Sequence, residues 1–524
     1  MCGYIMEIIT KGLNWFVFII LLIILLLCFP YFVIYASSFS AQIKLDEAIL
    51  VKIFTLISGI CILLVVFRKN RLGVWAFKLT NQLSVRNTLI LILLFGFILR
   101  ILWILLVPTV PHSDFGMMYK YAQEVQQGNY SGFHNYAYFA RFAHDTVTVL
   151  YFSLFYNFTT NPLLLIKLIN VLFSTLAVYY MYKIVAKIYN ETLGLLAAFL
   201  LAIFPPFIMY NSQTMSENLA VPFYLISVYY FVLIIKNEPT FHENESKYLF
   251  FCGLALSMAN MFRMVGSVFL IAYIIHFIIY KGLKKSVLRL PIIIATYFIP
   301  MYLISSLLIY NGITETHLWK SKEPSWTSVL KGTNFESIGH WNVEDAKLPD
   351  IYNHDPDKIA QASKQIIKDR LSNASLQKIS TFYLYKFGSE WAVPDMSAYD
   401  WTVPDASVSN SSATKFLRKF EATVLIPSTL FYLFLLYFSI LSLMKNKGRP
   451  EEISFFLILF SGFVMLLLIT EAQARYAFII SWIFIIFAIG GLKSNHDTNF
   501  KVHPSRSFKY SNFLCYLLSI GRLF

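Results

Sequence analysis

About twelve stretches of roughly 20 predominantly apolar residues recur along the chain, and a run of that length is what a helix needs to cross the hydrocarbon core of a bilayer. Inside lipid, every backbone N–H and C=O must be satisfied within the segment, so such runs fold as helices. They fall near 14–35, 49–67, 88–107, 163–187, 193–212, 218–235, 248–263, 265–281, 290–310, 423–444, 453–470 and 475–492. The seventh and eighth are short and break at Arg263-Met264-Val265-Gly266. The first is long enough to span and lacks the small-residue site of a cleavable leader. Hydrophobic residues make up 57% and charged residues 14% of the chain, against about 45–50% and about 25% in soluble domains. That excludes an ordinary soluble enzyme, a disordered chain and a fibrous repeat. The expected fold is an all-α polytopic membrane protein.

The net charge of +14 reads as basic cytoplasmic loops rather than as a nucleic-acid surface. Arg68, Lys69, Arg71, Lys78 and Arg86 form one cluster, Lys183 and Lys187 a second, and Lys281, Lys284, Lys285 and Arg289 a third. Lys445, Lys447 and Arg449 follow, then Lys493 and a basic tail. All fall on one side if both termini are cytoplasmic. The division expected is a membrane module over 1–310, an extracytoplasmic domain over 311–422, C-terminal spans over 423–492 and a cytoplasmic tail over 493–524. The first outer loop, 108–162, reads as structured: a short amphipathic helix at 114–127, capped by Ser113 or Asp114, and an interfacial helix at 146–158. In the outer domain, 357–380 has Ile359, Ile366 and Ile367 at helical spacing and reads as an amphipathic helix resting on the core or membrane surface. The five cysteines form neither a CxxC nor a Cys/His ligand pattern.

No P-loop, GxGxxG, HExxH or GxSxG motif sits in a fitting context. The polar residues gather at the outer ends of spans. Asp114, in PTVPHSDF, can accept a proton from a hydroxyl or merely cap a helix. Glu217, in NSQTMSENLAVPF, is a site acid or part of a solvated turn stabilised by the helix dipole. Arg263 faces a headgroup or snorkels to lipid phosphate. Glu471 and Arg475, at i and i+4, pair on a helix, or Arg475 holds a phosphate through two parallel hydrogen bonds; Tyr476 suits an interface either way. Carboxylates and arginines on one face match a reaction between a lipid phosphate and a hydroxyl: a carboxylate activates the acceptor while guanidinium groups stabilise the departing phosphate.

The order of these features resembles the GT-C superfamily of polyprenyl-phosphate-sugar-dependent glycosyltransferases, in particular the bacterial branch similar to protein O-mannosyltransferases and aminoarabinose transferases. The residues that carry the resemblance are HSDF at Asp114, the helix 146–158, the segment ETLGLLAAFLLAIFPPFIMYNSQTMSE ending at Glu217, the broken pair GLALSMANMFRMVGSVFLIAYIIHFIIY around Arg263, and EAQARYAFIISWIFIIFAIGG opened by Arg475-Tyr476. The resemblance implies a GT-C-like bundle with interfacial helices in the first outer loop, Asp114 as catalytic base, and inversion at the anomeric carbon. It implies phosphate-side contacts from Arg263 and Arg475, with Glu217, Glu471 and Tyr476 as further substrate-binding residues. The implied partners are a polyprenyl-phosphate-linked sugar, a glycan, lipid or protein acceptor, and membrane lipids; no nucleic acid is expected. Phe115 follows Asp114 where many relatives carry a second acid, and Ala143-His144-Asp145 stands in place of His-Pro-Pro. With one acid in the loop, no cofactor is assigned and a divalent metal is not favoured. The expected location is a bacterial plasma membrane with the site outside. A flippase or transporter would place ionisable groups at mid-membrane, and a glycan polymerase or ligase would carry Arg/His-rich chemistry in its outer loop; both remain as alternatives.

Overall fold

The structure is a computed structural model that describes residues 2–43, 84–236, 243–405, 408–409, 411–444 and 450–493. All of its regular elements are helical. In the membrane module these are α1 (Cys2–Ile43), α2 (Val85–Leu106), α3 (Ser113–Gln126), α4 (Tyr138–Arg141), α5 (Thr146–Phe155), α6 (Pro162–Ile188), α7 (Glu191–Ala202), α8 (Pro205–Met209), α9 (Glu217–Lys236), α10 (Glu243–Phe262), α11 (Gly266–His276) and α12 (Leu283–Tyr310). The segment expected to lie outside holds α13 (Trp326–Gly332), α14 (Val343–Ala346), α15 (Leu348–Ile351), α16 (Pro356–Ser372), α17 (Leu376–Trp391), α18 (Ala398–Thr402) and α19 (Ser412–Lys419). The chain returns through α20 (Glu421–Met444), α21 (Glu452–Ile469), a 3₁₀ run Ala474–Ile480 and α22 (Ile483–Leu492).

Seven helices are long and apolar enough to span, and two bent pairs raise the number to nine among the described residues. The expected twelve differ for identifiable reasons. The run at 49–67 lies outside the described residues. The seventh span is α10, which opens on the polar stretch Glu243-Asn244-Glu245-Ser246-Lys247, and the eighth is a short apolar helix, Gly266–Lys281. The fifth and twelfth are the bent pairs, α7 with Pro205–Ser212 at 65° and the 3₁₀ run with α22 at 61°.

The first bend explains a buried cation. Pro205 and Pro206 have no N–H to offer the carbonyls of Leu201 and Ala202. Arg100, fully buried on α2, supplies the missing donors: Nη2 to Leu201 O at 3.3 Å and Nη1 to Ala202 O at 2.9 Å. Its Nε reaches Ser174 Oγ at 2.8 Å. Helix starts follow local chemistry as well. Asn161 caps α6 ahead of Pro162, and Asn190 caps α7.

The stretch 357–380 is two helices rather than one. Asn373 ends α16, and Ser375, extended at φ −64° and ψ 152°, caps α17 through Lys378 N. Ile359 is buried with Leu330 and Leu348, with Ile366 and Ile367 packed alongside. Farther on, Trp391, Met396, Tyr399 and Val403 join the core of the membrane bundle itself. The outer segment is therefore bolted to the bundle, most firmly at Lys386. Its ammonium donates to the carbonyls of Gly332 at 2.8 Å, Leu468 at 2.8 Å and Thr470 at 2.6 Å, and so caps the C-terminus of α21. Gly332 lies so close that any Cβ there would collide with the Thr470 carbonyl.

Candidate active site

The chain after α2 turns sharply into α3. Ser113 sits at φ +51°, a left-handed conformation costing a non-glycine residue about 1–2 kcal/mol. His112, not Ser113 or Asp114, occupies the cap position, and no side chain caps the helix. Asp114 thereby keeps its carboxylate free of the backbone. Oδ2 accepts from Arg475 Nη2 at 2.8 Å and Oδ1 from the Tyr138 hydroxyl at 2.9 Å. The Asp114 side chain is 35% exposed while that of Arg475 is 7% exposed, so the pair opens outward from the carboxylate side. Burial alone would raise the Asp114 carboxyl, but Arg475, the Tyr138 hydroxyl and the more distant Arg263 together hold it below its ordinary value.

Arg475 opens the 3₁₀ run and is held in a fixed plane. Its guanidinium carbon lies 4.8 Å from the Phe115 ring centroid, 4.7 Å from that of Trp401 and 5.4 Å from that of Tyr476. Nε donates to Gln473 Oε1 at 2.5 Å. Trp401 comes from α18, where His112 stacks on it at 5.1 Å and Phe115 meets it edge-on at 5.1 Å. Residues 471–473 are not helical, so Glu471 and Arg475 do not form the i, i+4 pair. Arg475 goes to Asp114, and Glu471 goes to Lys331 at 3.7 Å and Gln473 at 3.0 Å.

Glu217 opens α9 and is buried, as are Asn211, Ser212, Gln213, Thr214, Ser216 and Asn218. The polar run is thus a packed strap rather than a solvated turn. Asn218 Nδ2 donates to the Tyr210 and Gln213 carbonyls, and Thr214 Oγ1 donates to Phe115 O at 3.0 Å behind Asp114. Arg263 stands at the break between α10 and α11. Asn260 Oδ1 closes that break by accepting from Gly266 N at 2.8 Å, and the Tyr224 hydroxyl donates to Arg263 O at 2.5 Å. Arg263 Nε lies 3.3 Å from Glu217 Oε1, so it is paired rather than snorkelling, and its guanidinium carbon is 5.4 Å from the Tyr476 ring centroid. One tyrosine thus touches both arginines.

Asp114, Glu217, Arg263, Arg475, Glu471 and Tyr476 therefore form one connected cluster drawn from four chain segments. Sequence reasoning missed Tyr138, Gln473 and Trp401; the aromatic run around Tyr138, NYAYFARF, was the one available hint. Among the described residues, no three His, Cys, Asp or Glu side chains are grouped to hold a metal ion.

Fold and site together define a polytopic helical membrane protein with an ionic cluster at one end of its bundle. The sequence model of the dolichyl-phosphate-mannose-protein mannosyltransferase family matches residues 140–310, and the chain is accordingly similar to the GT-C glycosyltransferases. No curated protein matches it. Among solved structures, the apo oligosaccharyltransferase of Archaeoglobus fulgidus aligns at 15% identity and a TM-score of 0.45, over 78% of this chain and 50% of that one. The same organism's AglB, in complex with an inhibitory peptide and a dolichol-phosphate, aligns at 13% identity and 0.44, over 79% and 50%. The chain spans about half the length of these structures.

Proposed function

We propose that this chain is an integral-membrane glycosyltransferase that moves a sugar from a polyprenyl-phosphate donor to an acceptor hydroxyl at the extracytoplasmic face of a bacterial plasma membrane, with both termini cytoplasmic. The observation that carries this reading is the part-exposed Asp114 carboxylate on a buried, aromatic-clamped Arg475, with Arg263 on the same tyrosine. The matched family, named for dolichyl-phosphate-mannose, supports a lipid-phosphate donor.

The ion pair suggests an order of events. While Arg475 holds Asp114, the carboxylate is a weak base. An arriving donor phosphate competes for Arg475 and Arg263, which frees Asp114 and raises its basicity. The acceptor hydroxyl then gives its proton to Asp114 as its oxygen bonds to the anomeric carbon. The bond from that carbon to the phosphate oxygen breaks, with inversion, and polyprenyl phosphate departs with its charge held by the two guanidinium groups. Glu217 keeps Arg263 in place, Tyr476 spaces the arginines, and Glu471 acts through Gln473. The acceptor is a glycan, lipid or protein, and no step is routed through a metal.

The test is to incubate purified protein with a panel of polyprenyl-phosphate sugars, reading thermal protection and transfer. One donor is expected to raise the melting temperature, and Asp114→Asn, inserted and stable, is expected to bind it without transferring. Undiminished transfer by that variant overturns the assignment.

A further inference from the structure

Behind the site, charged and hydrogen-bonding side chains continue in an unbroken line into the outer segment. Lys331, at the end of α13, is 6% exposed. Its Nζ lies 3.7 Å from Glu471 Oε2 and 3.7 Å from Glu323 Oε1. Glu323 is buried in turn, receiving Arg141 through Nη2 at 2.6 Å and Nε at 3.0 Å, and Thr327 Oγ1 at 2.8 Å. On the other side, Glu471 Oε1 accepts from Gln473 Nε2, and Gln473 Oε1 accepts from Arg475 Nε. Residues 471–473 are also pinned by their backbone: Glu471 N donates to Ser328 Oγ at 3.3 Å and Ala472 N to Gly339 O at 2.8 Å. From Arg141 in the first outer loop to Arg475, each link is an ion pair or hydrogen bond.

We propose that Lys331 and Glu323 are positioning residues for the transfer site: the Lys331 ammonium, shared between Glu323 and Glu471, sets the Glu471–Gln473 strap that aims Arg475 at the donor phosphate. The strap part stands on geometry alone; the phosphate part rests on the function proposed above. A buried carboxylate pair is tolerable only with a cation between the two groups. Remove the ammonium and Glu323 and Glu471 face one another across its space. Arg141 stays on Glu323, so the carboxylate that loses its ion-pair partner is that of Glu471, and burial without a partner favours its neutral form. The other charged groups around this point are Arg141 on Glu323, and His340, Lys386 and Glu390 on the side of Glu471.

The experiment compares wild type, Lys331→Met, Lys331→Arg and Lys331→Met/Glu471→Gln between pH 6 and 9. The first readout needs no ligand: hydrogen exchange of the amides in 470–476, taken as a ratio to wild type at each pH. Lys331→Met is expected to hold the strap at low pH, where the Glu471 carboxyl is neutral, and to release it as pH rises. Lys331→Arg is expected to follow wild type, and the double variant is expected to be flat. The second readout is binding of polyprenyl monophosphate in detergent, where Lys331→Met is expected to weaken by about tenfold between the two ends of the range, relative to wild type. A loss of packing alone raises exchange equally at every pH and is not cured by Glu471→Gln; either result overturns the positioning role. Exchange that behaves as expected in a protein that binds no polyprenyl phosphate keeps the strap mechanism and overturns the donor assignment, so the two failures are distinct.

Discussion

Two arginine–carboxylate pairs lie at opposite ends of the bundle, and they differ in everything except their chemistry. At the end where α9 finishes and α10 begins, Arg289 of α12 is bonded through Nε to Glu245 of α10, with side-chain exposures of 9% and 4%. Nearby, Lys236 meets Glu452 and Lys281 meets Glu451, each tying a helix end to α21 or the turn before it. At the other end, Arg475 and Asp114 join segments 361 positions apart in the chain, the carboxylate is part-exposed, and three aromatic rings and an amide fix the guanidinium. The first pair is sealed and ties two neighbouring helices together. The second is open on one side and over-determined on the other, as the proposed mechanism requires of a group that gives up its partner to a ligand while keeping its place. Charge alone does not distinguish the two; exposure and the number of independent supports do.

The strongest way to break this contrast is to neutralise each pair. Asp114→Asn is expected to lower sugar transfer by roughly 10³-fold while leaving the melting temperature near wild type. Because Asp114 is held below the ordinary carboxylate value, its ion pair is expected to persist until pH falls below about 4, and a binding titration of polyprenyl phosphate checks this. Arg289→Met is expected to do the reverse: a loss of about 3–5 kcal/mol in stability from the stranded Glu245, measured by thermal or denaturant unfolding, with transfer per folded molecule retained.

A third carboxyl, a buried one, sharpens the comparison because it has no guanidinium at all. Both oxygens of Glu390 lack a hydrogen-bond partner, and Lys386, one turn away, spends its protons on three carbonyls. Burial pushes Glu390 up to about 9, against a smaller pull from Lys386. The folded chain therefore favours the protonated acid. Its contribution is full below the ordinary glutamate value and declines as pH rises towards about 9. Glu390→Met is expected to stabilise the protein by about 1–3 kcal/mol and to remove that decline, seen as a flatter plot of melting temperature against pH. The smallest expected effect is at Tyr138→Phe, which deletes one hydrogen bond to Asp114 and is expected to slow transfer by about three- to tenfold without altering stability.

Apolar runs made the helical membrane architecture legible, and the polar residues that interrupt their ends picked out Asp114, Glu217, Arg263 and Arg475, which the structure brings together, because both signals are local. The partners were not. Nothing within a few residues of Arg475 announces Asp114, Trp401 or the relay to Lys331, which depend on packing across hundreds of positions. The bends inside two of the expected spans were not legible, since composition is blind to the Pro205-Pro206 kink and to the 3₁₀ geometry at Ala474–Ile480. The single helix expected over 357–380 failed at Asn373 to Ser375, where a capping serine outweighs continuing periodicity.

The Lys386 clamp bears on how this chain can be taken apart or recombined. Expressed alone as a fragment, 311–422 would carry an ammonium stripped of two of its three carbonyl acceptors. A chimera that exchanges outer segments between homologous scaffolds would need to carry residues 468–476 along with the graft, or the seam would fall through the site itself.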